Sequence, residues 1–592
     1  MPKYDIACLF QRAAQHHQAG ALSQAEAIYR EILAADPQHA DALHYLGVLA
    51  LAVGHQQVAV DLMEASLAVH PNNSACLSDL GLAYRDLNRI EDTIASFRQA
   101  LALMPGNFLA HANLGITLFG RGEVDEAISC FQAALAINND SAIQTYLGSA
   151  FKTRGQLDRA IACYREGLAK DRGNVIAHSS LIYTMHLDPA YDAQGLWEEH
   201  RRWNQLHAAP YKKQHVAHDA APSPHRRLRV GYVSSDFRLH PVARFILPLL
   251  EGHHHSDIEV FCYSNVSTPD ALTGRIRSCA DQWREIVSLN DAQVDQLVRQ
   301  DGIDILVDLN MHTMGNRLLV FARKPAPLQV TYLAYCSTTG LEAMDYRFTD
   351  PYMDPPDSND LYYSERSIRL EGTYWCYQAN PSAPEVNPLP ALAAGHVTFG
   401  CLNNFCKVNE AALEVWSEIM ASVPQSRLIL HAYEGAHRQQ ARAFFTDKGI
   451  AGERIQFVGL VPPVRYFQTY WEIDIGLDPF PCGGGTTTCD ALWMGVPVIS
   501  LIGQMPISRC GLSILSNVGL PNLAVQTEAE YVEKAVAISK DLLQLSQLRK
   551  TLRPQMESSR LMDARTFVQS IETAYRTMWQ KWCDAQSPAA RF

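Results

Sequence analysis

The 592-residue chain is 47% apolar and 19% charged, with a formal charge of −12; this is the balance of an ordered protein with room for about two to four domains. The negative charge argues against nucleic acid or an anionic membrane as the main partner. Fourteen cysteines without C-x-x-C pairs or a matching histidine cluster argue against zinc and for reduced, mostly buried thiols.

The start, "MPKYDIACLFQRAAQHH", has no apolar signal core, and no stretch of about 18 apolar residues occurs anywhere, so the expected location is the cytoplasm. The first third then repeats. Leu46-Gly47, Leu80-Gly81 and Leu114-Gly115 are 34 residues apart, as are Pro37, Pro71 and Pro105. Leu147-Gly148 and Leu181 continue the register with one residue lost. Small and large residues return in step, as Thr93 with Phe97, Ala127 with Phe131 and Ala160 with Tyr164. Small residues let paired helices approach, aromatics fill the groove, and proline ends the second helix. This helix-turn-helix unit resembles the tetratricopeptide repeat and runs from about Ala21 to Leu187. Such a solenoid offers a concave face to peptides; a scaffold or dimerisation arm is the alternative.

Trp197 to Tyr211 reads as connecting helix, and "HDAAPSPHRR" (His218 to Arg227) as a polar linker. Apolar runs follow that read as buried strands: "LRVGYVSSDF", "IEVFCYSN", "IDILVDLN" and "LQVTYLAY", with helical stretches such as Asp291 to Arg299 between some of them. The run His253-His254-His255 reads as solvated loop. After a proline-rich break, Asn380 to Gly395, the alternation restarts with "HVTFGCLNN", "SRLILHAY", "RIQFVGL", "DIGLDPF" and "PVISLI". Alternation of this kind predicts two doubly wound parallel sheets with ligands at the carboxyl ends of their strands. Glu530 to Trp582 reads as helices that cross back to brace the first of them.

One loop carries a chemical signal. "IDIGLDPFPC" runs into Gly483-Gly484-Gly485, Thr486-Thr487-Thr488 and a helix from about Cys489. Glycines let backbone approach a pyrophosphate, the free N–H groups of a helix's first turn donate to it, and Asp490 is placed to accept ribose hydroxyls. No lysine follows in the G-x-x-x-x-G-K-[ST] pattern, which disfavours an NTPase. A capped turn without ligand is the competing reading.

The blocks "RVGYVSSDFRLHP", "DILVDLNMHTMGNR", "FARKPAPLQVTYLAYCSTTG", "MDYRFTD", "GCLNNFCKVN" and "GGGTTTCDALWMGVPVI" stand in the order found in the O-linked N-acetylglucosamine transferases. The chain looks like a bacterial homologue of that family, and the repeats in front belong to the same plan. The resemblance implies an α-solenoid followed by a two-domain Rossmann-like (GT-B type, α/β) glycosyltransferase with C-terminal helices. Its segments would be 1–190 solenoid, 191–227 connecting helices and linker, 228–379 first catalytic domain, 380–395 linker, and 396–592 nucleotide-sugar-binding domain.

The resemblance also implies roles. Lys407 matches the lysine at the donor pyrophosphate, Asn404 lies where animal members have glutamine, and Gly485, Thr486, Thr487 and Asp490 match phosphate- and ribose-binding positions. His240 matches a histidine near the reacting centre. An imidazole at a strand-end loop suits a general base, but Asp236, Asp308 and His312 lie at comparable strand ends, so the base stays open among them. Asp308, His312 and Thr338 are candidates for a sugar and acceptor pocket. Lys407 as a plain surface lysine is the alternative to its donor role.

There are departures from the family pattern. Tyr466 replaces the animal histidine near the uracil, Pro463 replaces a lysine, the sugar loop reads "AYCST", and the peptide-holding asparagines are reduced to Asp79, Asn113 and then Tyr146. The implied activity is inverting transfer of N-acetylglucosamine from UDP-N-acetylglucosamine to Ser/Thr hydroxyls of proteins, without cofactor or metal. The alternatives are a GDP-fucose-dependent protein O-fucosyltransferase or a binding scaffold with a vestigial nucleotide site.

Overall fold

The computed structural model describes residues 6–215, 218 and 223–586. The expected linker at His218–Arg227 falls partly outside them, as do the outer ends of the first and last expected segments. The chain divides into two compact units, Met1–Ala150 and Phe151–Phe592.

The first unit is a run of antiparallel helix pairs, from Ile6–Gln18 and Leu22–Ala35 through Phe108–Arg121 and Val124–Ile137. The first helix of successive pairs is capped by one recurring side chain. His39, Asn73 and Asn107 accept from the amides of Ala42, Cys76 and Ala110. Asp140 accepts from Ile143 in the same way one residue early, which accounts for the lost residue in the register. The repeated glycines are steric requirements. A Cβ on Gly47 would stand 2.9 Å from Met63, on Gly81 2.7 Å from Phe97 and on Gly115 2.6 Å from Phe131. Each glycine is thus the floor of the groove that the partner helix's large side chain fills.

The second unit opens with further helices. Leu157–Lys170 and Val175–Met185, which the sequence reading places in the solenoid ending at 190, fall within the second unit. Leu157 joins Met311, Tyr335 and Cys406 in one apolar cluster, and Ile182 and Trp203 enter the core beneath the first sheet.

That sheet has strands β1 (Leu228–Ser234), β2 (Ile258–Ser264), β3 (Gln282–Glu285), β4 (Ile305–Asp308), β5 (Leu328–Thr331), β6 (Tyr346–Thr349) and β7 (Arg366–Arg369), in the order β3-β2-β1-β4-β5-β6-β7. The second has β8 (Thr398–Cys401), β9 (Arg427–His431), β10 (Ile455–Val458), β11 (Ile475–Leu477), β12 (Val498–Leu501) and β13 (Ala524–Val525), in the order β10-β9-β8-β11-β12-β13. The pairings are parallel in both. Both sheets therefore turn outward from a central strand, β1 or β8, and open their ligand crevices where the strand order reverses.

The helix Ala564–Gln586 returns to the first sheet. Tyr575 meets the Tyr232 hydroxyl at 3.2 Å, and the Trp579 indole donates to the Ser223 carbonyl. The segment His253–His255 is a loop with His254 and His255 exposed, as expected, and the expectation of a solvated loop is corrected only at His253. His253 is buried between Tyr232 and Glu572, His254 also bonds Glu572, and His255 bonds Asp281. Burial would raise the Glu572 carboxyl, but its bonds from His253 and His254 outweigh that and hold it near 2.

The glycine register gives a paired test within one helix. Gly115→Ala presses on Phe131 and should destabilise the solenoid by about 1–3 kcal/mol. Gly120→Ala meets open space and should stabilise it by up to about 1 kcal/mol. Chemical denaturation of the two variants checks the opposite signs; equal shifts would refute the steric account.

Candidate functional site

The carboxyl ends of both sheets face a cleft of about 850 Å³. On the second-sheet side, β11 is followed directly by Asp478, whose buried carboxylate accepts from the Gly484 amide at 2.7 Å and from the Ser500 hydroxyl at 2.8 Å. Burial pushes this carboxyl up to about 6, against the pull of those two donors and of Lys407. The glycines are shaped to this contact. A Cβ on Gly483 would meet Asp478 at 2.7 Å, and one on Gly484 would meet the Thr487 and Thr488 hydroxyls at 2.5 Å.

The chain then enters the helix Thr486–Trp493, starting at Thr486 and not at Cys489. No side chain caps it, and Gly485, Thr486 and Thr487 line the cleft. Its first-turn N–H groups are therefore free to donate to an anion. The Thr487 hydroxyl is aligned by a 2.7 Å bond to Asn403.

Beside this helix end stands Lys407, at the close of the short turn Phe405–Lys407 that follows β8. Its ammonium donates to the Gly483 carbonyl at 2.7 Å. Burial works against the charge, but its surroundings, Cys482 and Tyr183 foremost and Asp478 among them, hold the ammonium above the ordinary lysine value. Asn404, exposed at the same turn, also lines the cleft.

On the first-sheet side, the loop after β1 carries Asp236 and His240. His240 caps the helix Pro241–Gly252, with Nδ1 3.4 Å from the Val242 amide and 3.5 Å from the Asp236 carboxylate. Nδ1 serves one of these partners at a time: accepting from the Val242 amide it leaves the proton on Nε2, and carrying the proton toward Asp236 it gives up the cap and frees Nε2 as an acceptor. Burial lowers the imidazole from its usual value while Asp236 pulls it up. Asp236 is fixed from behind by the Asn310 amide at 2.7 Å. Among the described residues, no group of three or more His, Cys, Asp or Glu side chains is placed to hold a metal ion.

Several expected site residues do not reach the cleft. Asp308 is buried and accepts from the amides of Asn310 and Met311 and from Thr331; it shapes the loop that brings Asn310 to Asp236. His312 lies among Ser179, Trp203, His200 and the Thr339 carbonyl, and burial pushes it down to about 3. Thr338 donates to Glu365 at 2.6 Å, away from the cleft. Each sits near a strand end, but its side chain turns inward. Of the four candidates for a base, His240 and Asp236 are the two that line the cleft.

Asp490 is also buried, at 1% exposure. One oxygen takes Arg244 and the Tyr377 hydroxyl, both at 2.5 Å, and the other takes Tyr466 at 3.1 Å. Burial raises its carboxyl while Arg244 pulls it back. In this arrangement neither Asp490 nor Tyr466 is offered to a ribose or a base.

The sequence reading missed Lys152, Tyr183, Arg238 and Trp375, which also line the cleft. Lys152 and Tyr183 come from helices of the repeat region, whose periodicity gave them no chemical signal.

Comparison with known proteins agrees with this architecture. A model described as glycosyl transferase family 41 matches residues 152–380 and 389–571, and a tetratricopeptide repeat model matches 16–74 and 78–142. A probable UDP-N-acetylglucosamine–peptide N-acetylglucosaminyltransferase SPINDLY of Solanum lycopersicum is 38% identical over 404 residues, 67% of this chain and 43% of that protein. A UDP-N-acetylglucosamine–peptide N-acetylglucosaminyltransferase of Caenorhabditis elegans is 23% identical over 473 residues, 60% of this chain and 41% of that one. The chain thus spans less than half the length of these curated relatives. A solved structure of a Thermobaculum terrenum O-GlcNAc transferase mutant superposes with a TM-score of 0.82 at 34% identity, covering 87% of this chain and 98% of that one. With its family model matched over well more than half of the sequence, the chain belongs to glycosyl transferase family 41.

Proposed function

We propose that the protein is an inverting glycosyltransferase that moves N-acetylglucosamine from UDP-N-acetylglucosamine to Ser/Thr hydroxyls of proteins. The observation that carries this reading is the pairing of an uncapped helix N-terminus and Lys407 on one side of the cleft with the His240–Asp236 pair on the other. The acceptor oxygen attacks the anomeric carbon from the face opposite the nucleotide. The bond from that carbon to the phosphate oxygen breaks, and its electron pair stays on the diphosphate. Lys407 and the first-turn amides at Thr486 and Thr487 stabilise that charge, a task that requires no metal. The acceptor proton passes to His240 Nε2, and Asp236 stabilises the imidazolium.

The departure at the base pocket favours one second reading. Pro463 opens the helix Pro463–Thr469, and Tyr466 is engaged by Asp490 and Tyr470. Neither repeats the animal pattern, which keeps a GDP-fucose donor as the alternative.

The helical repeats are proposed to dock acceptor protein. A cytoplasmic setting is part of the same reading and accords with fourteen cysteines that are all free thiols. No helix among the described residues is long and apolar enough to cross a membrane.

Calorimetric titration with UDP and GDP tests the donor assignment. Lys407→Ala should weaken the nucleotide that binds at least tenfold, about 1.4 kcal/mol. Unchanged affinity and turnover would overturn it, and preference for GDP would select the alternative donor.

The base is tested by pH. Asp236 holds His240 up, so Asp236→Asn should move the rising limb of kcat/KM to lower pH and cut the rate by roughly tenfold or more. A limb that stays in place would remove His240 from that role. Deleting residues 1–150 should leave nucleotide affinity unchanged and abolish transfer to folded protein acceptors; equal transfer rates would refute docking by the repeats.

A further inference from the structure

The cleft carries more positive charge than the transfer chemistry uses. Besides His240, its charged lining consists of Lys152, Arg238, Arg317 and Lys407 against a single carboxylate, Asp236. The chain as a whole has a formal charge of −12, so this excess is local. Two of the four cations have partners. Arg317 is neutralised by Asp291 at 2.9 Å, and Lys407 stands beside the Thr486 helix end, where the donor diphosphate is placed. Lys152 and Arg238 form no ion pair among the described residues.

These two cations flank the transfer centre. Lys152 lies in the last turn of the helix Ser141–Thr153, and its ammonium stands 5.1 Å from the centroid of the Tyr183 ring. The ring holds the charge in place without cancelling it. Tyr183 packs in turn on Tyr335, with centroids 5.3 Å apart. Burial raises the Cys406 thiol, and Lys152 and Lys407 both pull it back, which puts the two ammonium groups on one side of the cleft. Arg238 belongs to the other side. It is exposed on the loop between β1 and the helix Pro241–Gly252, just before His240. Burial lowers the His240 imidazole, and Arg238 adds to that against the pull of Asp236. Its guanidinium is therefore within electrostatic reach of the reacting centre.

We propose that the acceptor is an acidic protein segment, with carboxylates flanking the modified hydroxyl that pair with Lys152 on the Lys407 side of the cleft and with Arg238 on the His240 side. The proposal rests on the glycosyl-transfer reading and names the substrate class of that site. A segment that reaches from one cation to the other passes between His240 and Lys407, so the two ion pairs also orient its hydroxyl. Pairs this open to water are individually weak, but they discriminate well between charge patterns. Nucleic acid fits poorly, because two unpaired cations in a concave site give a polyanion no continuous track and the net charge repels it.

The experiment uses the full-length protein, UDP-N-acetylglucosamine and two synthetic peptides with one central Thr, flanked on both sides by Glu in one and by Gln in the other. The readout is the ratio of kcat/KM for the two peptides within each variant, so that a general loss of activity cancels. The wild-type protein should favour the Glu peptide at least about threefold; a smaller preference overturns the proposal. Lys152→Gln and Arg238→Gln should each lower the ratio, and the double variant should at least halve it while the Kd for UDP in calorimetry stays within about threefold. A double variant that keeps the ratio rejects the proposal. So does a Lys152→Gln protein that binds UDP about tenfold more weakly, the signature of a diphosphate ligand. Should the double variant fail to fold, salt decides: raising the ionic strength from about 0.05 to about 0.3 M should at least halve the wild-type ratio, and a smaller fall rejects the proposal. A wild-type protein that binds UDP but modifies neither peptide also rejects it. One that neither binds UDP nor releases it from the sugar nucleotide sinks the N-acetylglucosamine-transfer reading itself, and this proposal with it.

Discussion

The first N–H groups of a helix have no partner within it, and here that vacancy is kept open where an anion is to sit. The helix at Thr486 carries no side-chain cap. It is held in place from outside, by the Asp478 carboxylate on the Gly484 amide and by Asn403 on the Thr487 hydroxyl. Asp478 is buried at a cost to its charge, and Gly483 packs on it, Gly484 on the Thr487 and Thr488 hydroxyls and Gly485 on Trp375, each where a Cβ would collide. The tight bend and the free helix amides at that turn have one origin. The packing makes the bend, and the bend leaves the amides free.

The rest of the cleft follows from having two such helix ends opposed. The second belongs to the His240 helix, where the capping position is occupied by an imidazole that also leans on Asp236. A capping side chain and a candidate proton acceptor are thus one residue in two tautomers: Nδ1 accepts the cap from Val242, or it carries a proton toward Asp236 and leaves Nε2 open. Lys407 supplies the fixed charge beside the first helix and keeps it because of the groups around it.

Much of this was legible in the sequence where one residue type had one physical job. Gly47, Gly81 and Gly115 announced the solenoid because a groove floor tolerates nothing larger. Long apolar runs announced β1, β2, β4 and β5 because both faces of a parallel sheet are covered. By the same token β6 escaped notice: Arg347 sits within it, fully buried, matched by Asp354 and the Ser337 carbonyl. Short polar β3 and edge strand β7 escaped for want of an apolar run. Among the site residues, position along the strand was readable but side-chain direction was not, so Asp308, His312 and Thr338 look like cleft residues and are not. Asp490 shows the same limit across domains, since its partner Arg244 lies 246 residues away. Lys152 and Tyr183 were hidden for a different reason: helix periodicity marks what packs inward, and these two serve the cleft.

The central claim is that the donor diphosphate lies on the Thr486 helix end beside Lys407. A crystal structure of the UDP complex tests it most directly. The account predicts phosphate oxygens within hydrogen-bond reach of the Thr486 and Thr487 amides, and the Lys407 ammonium moved from the Gly483 carbonyl to the phosphate. UDP bound elsewhere, or its phosphates out of reach of Lys407 and the Thr486 helix end, would contradict it.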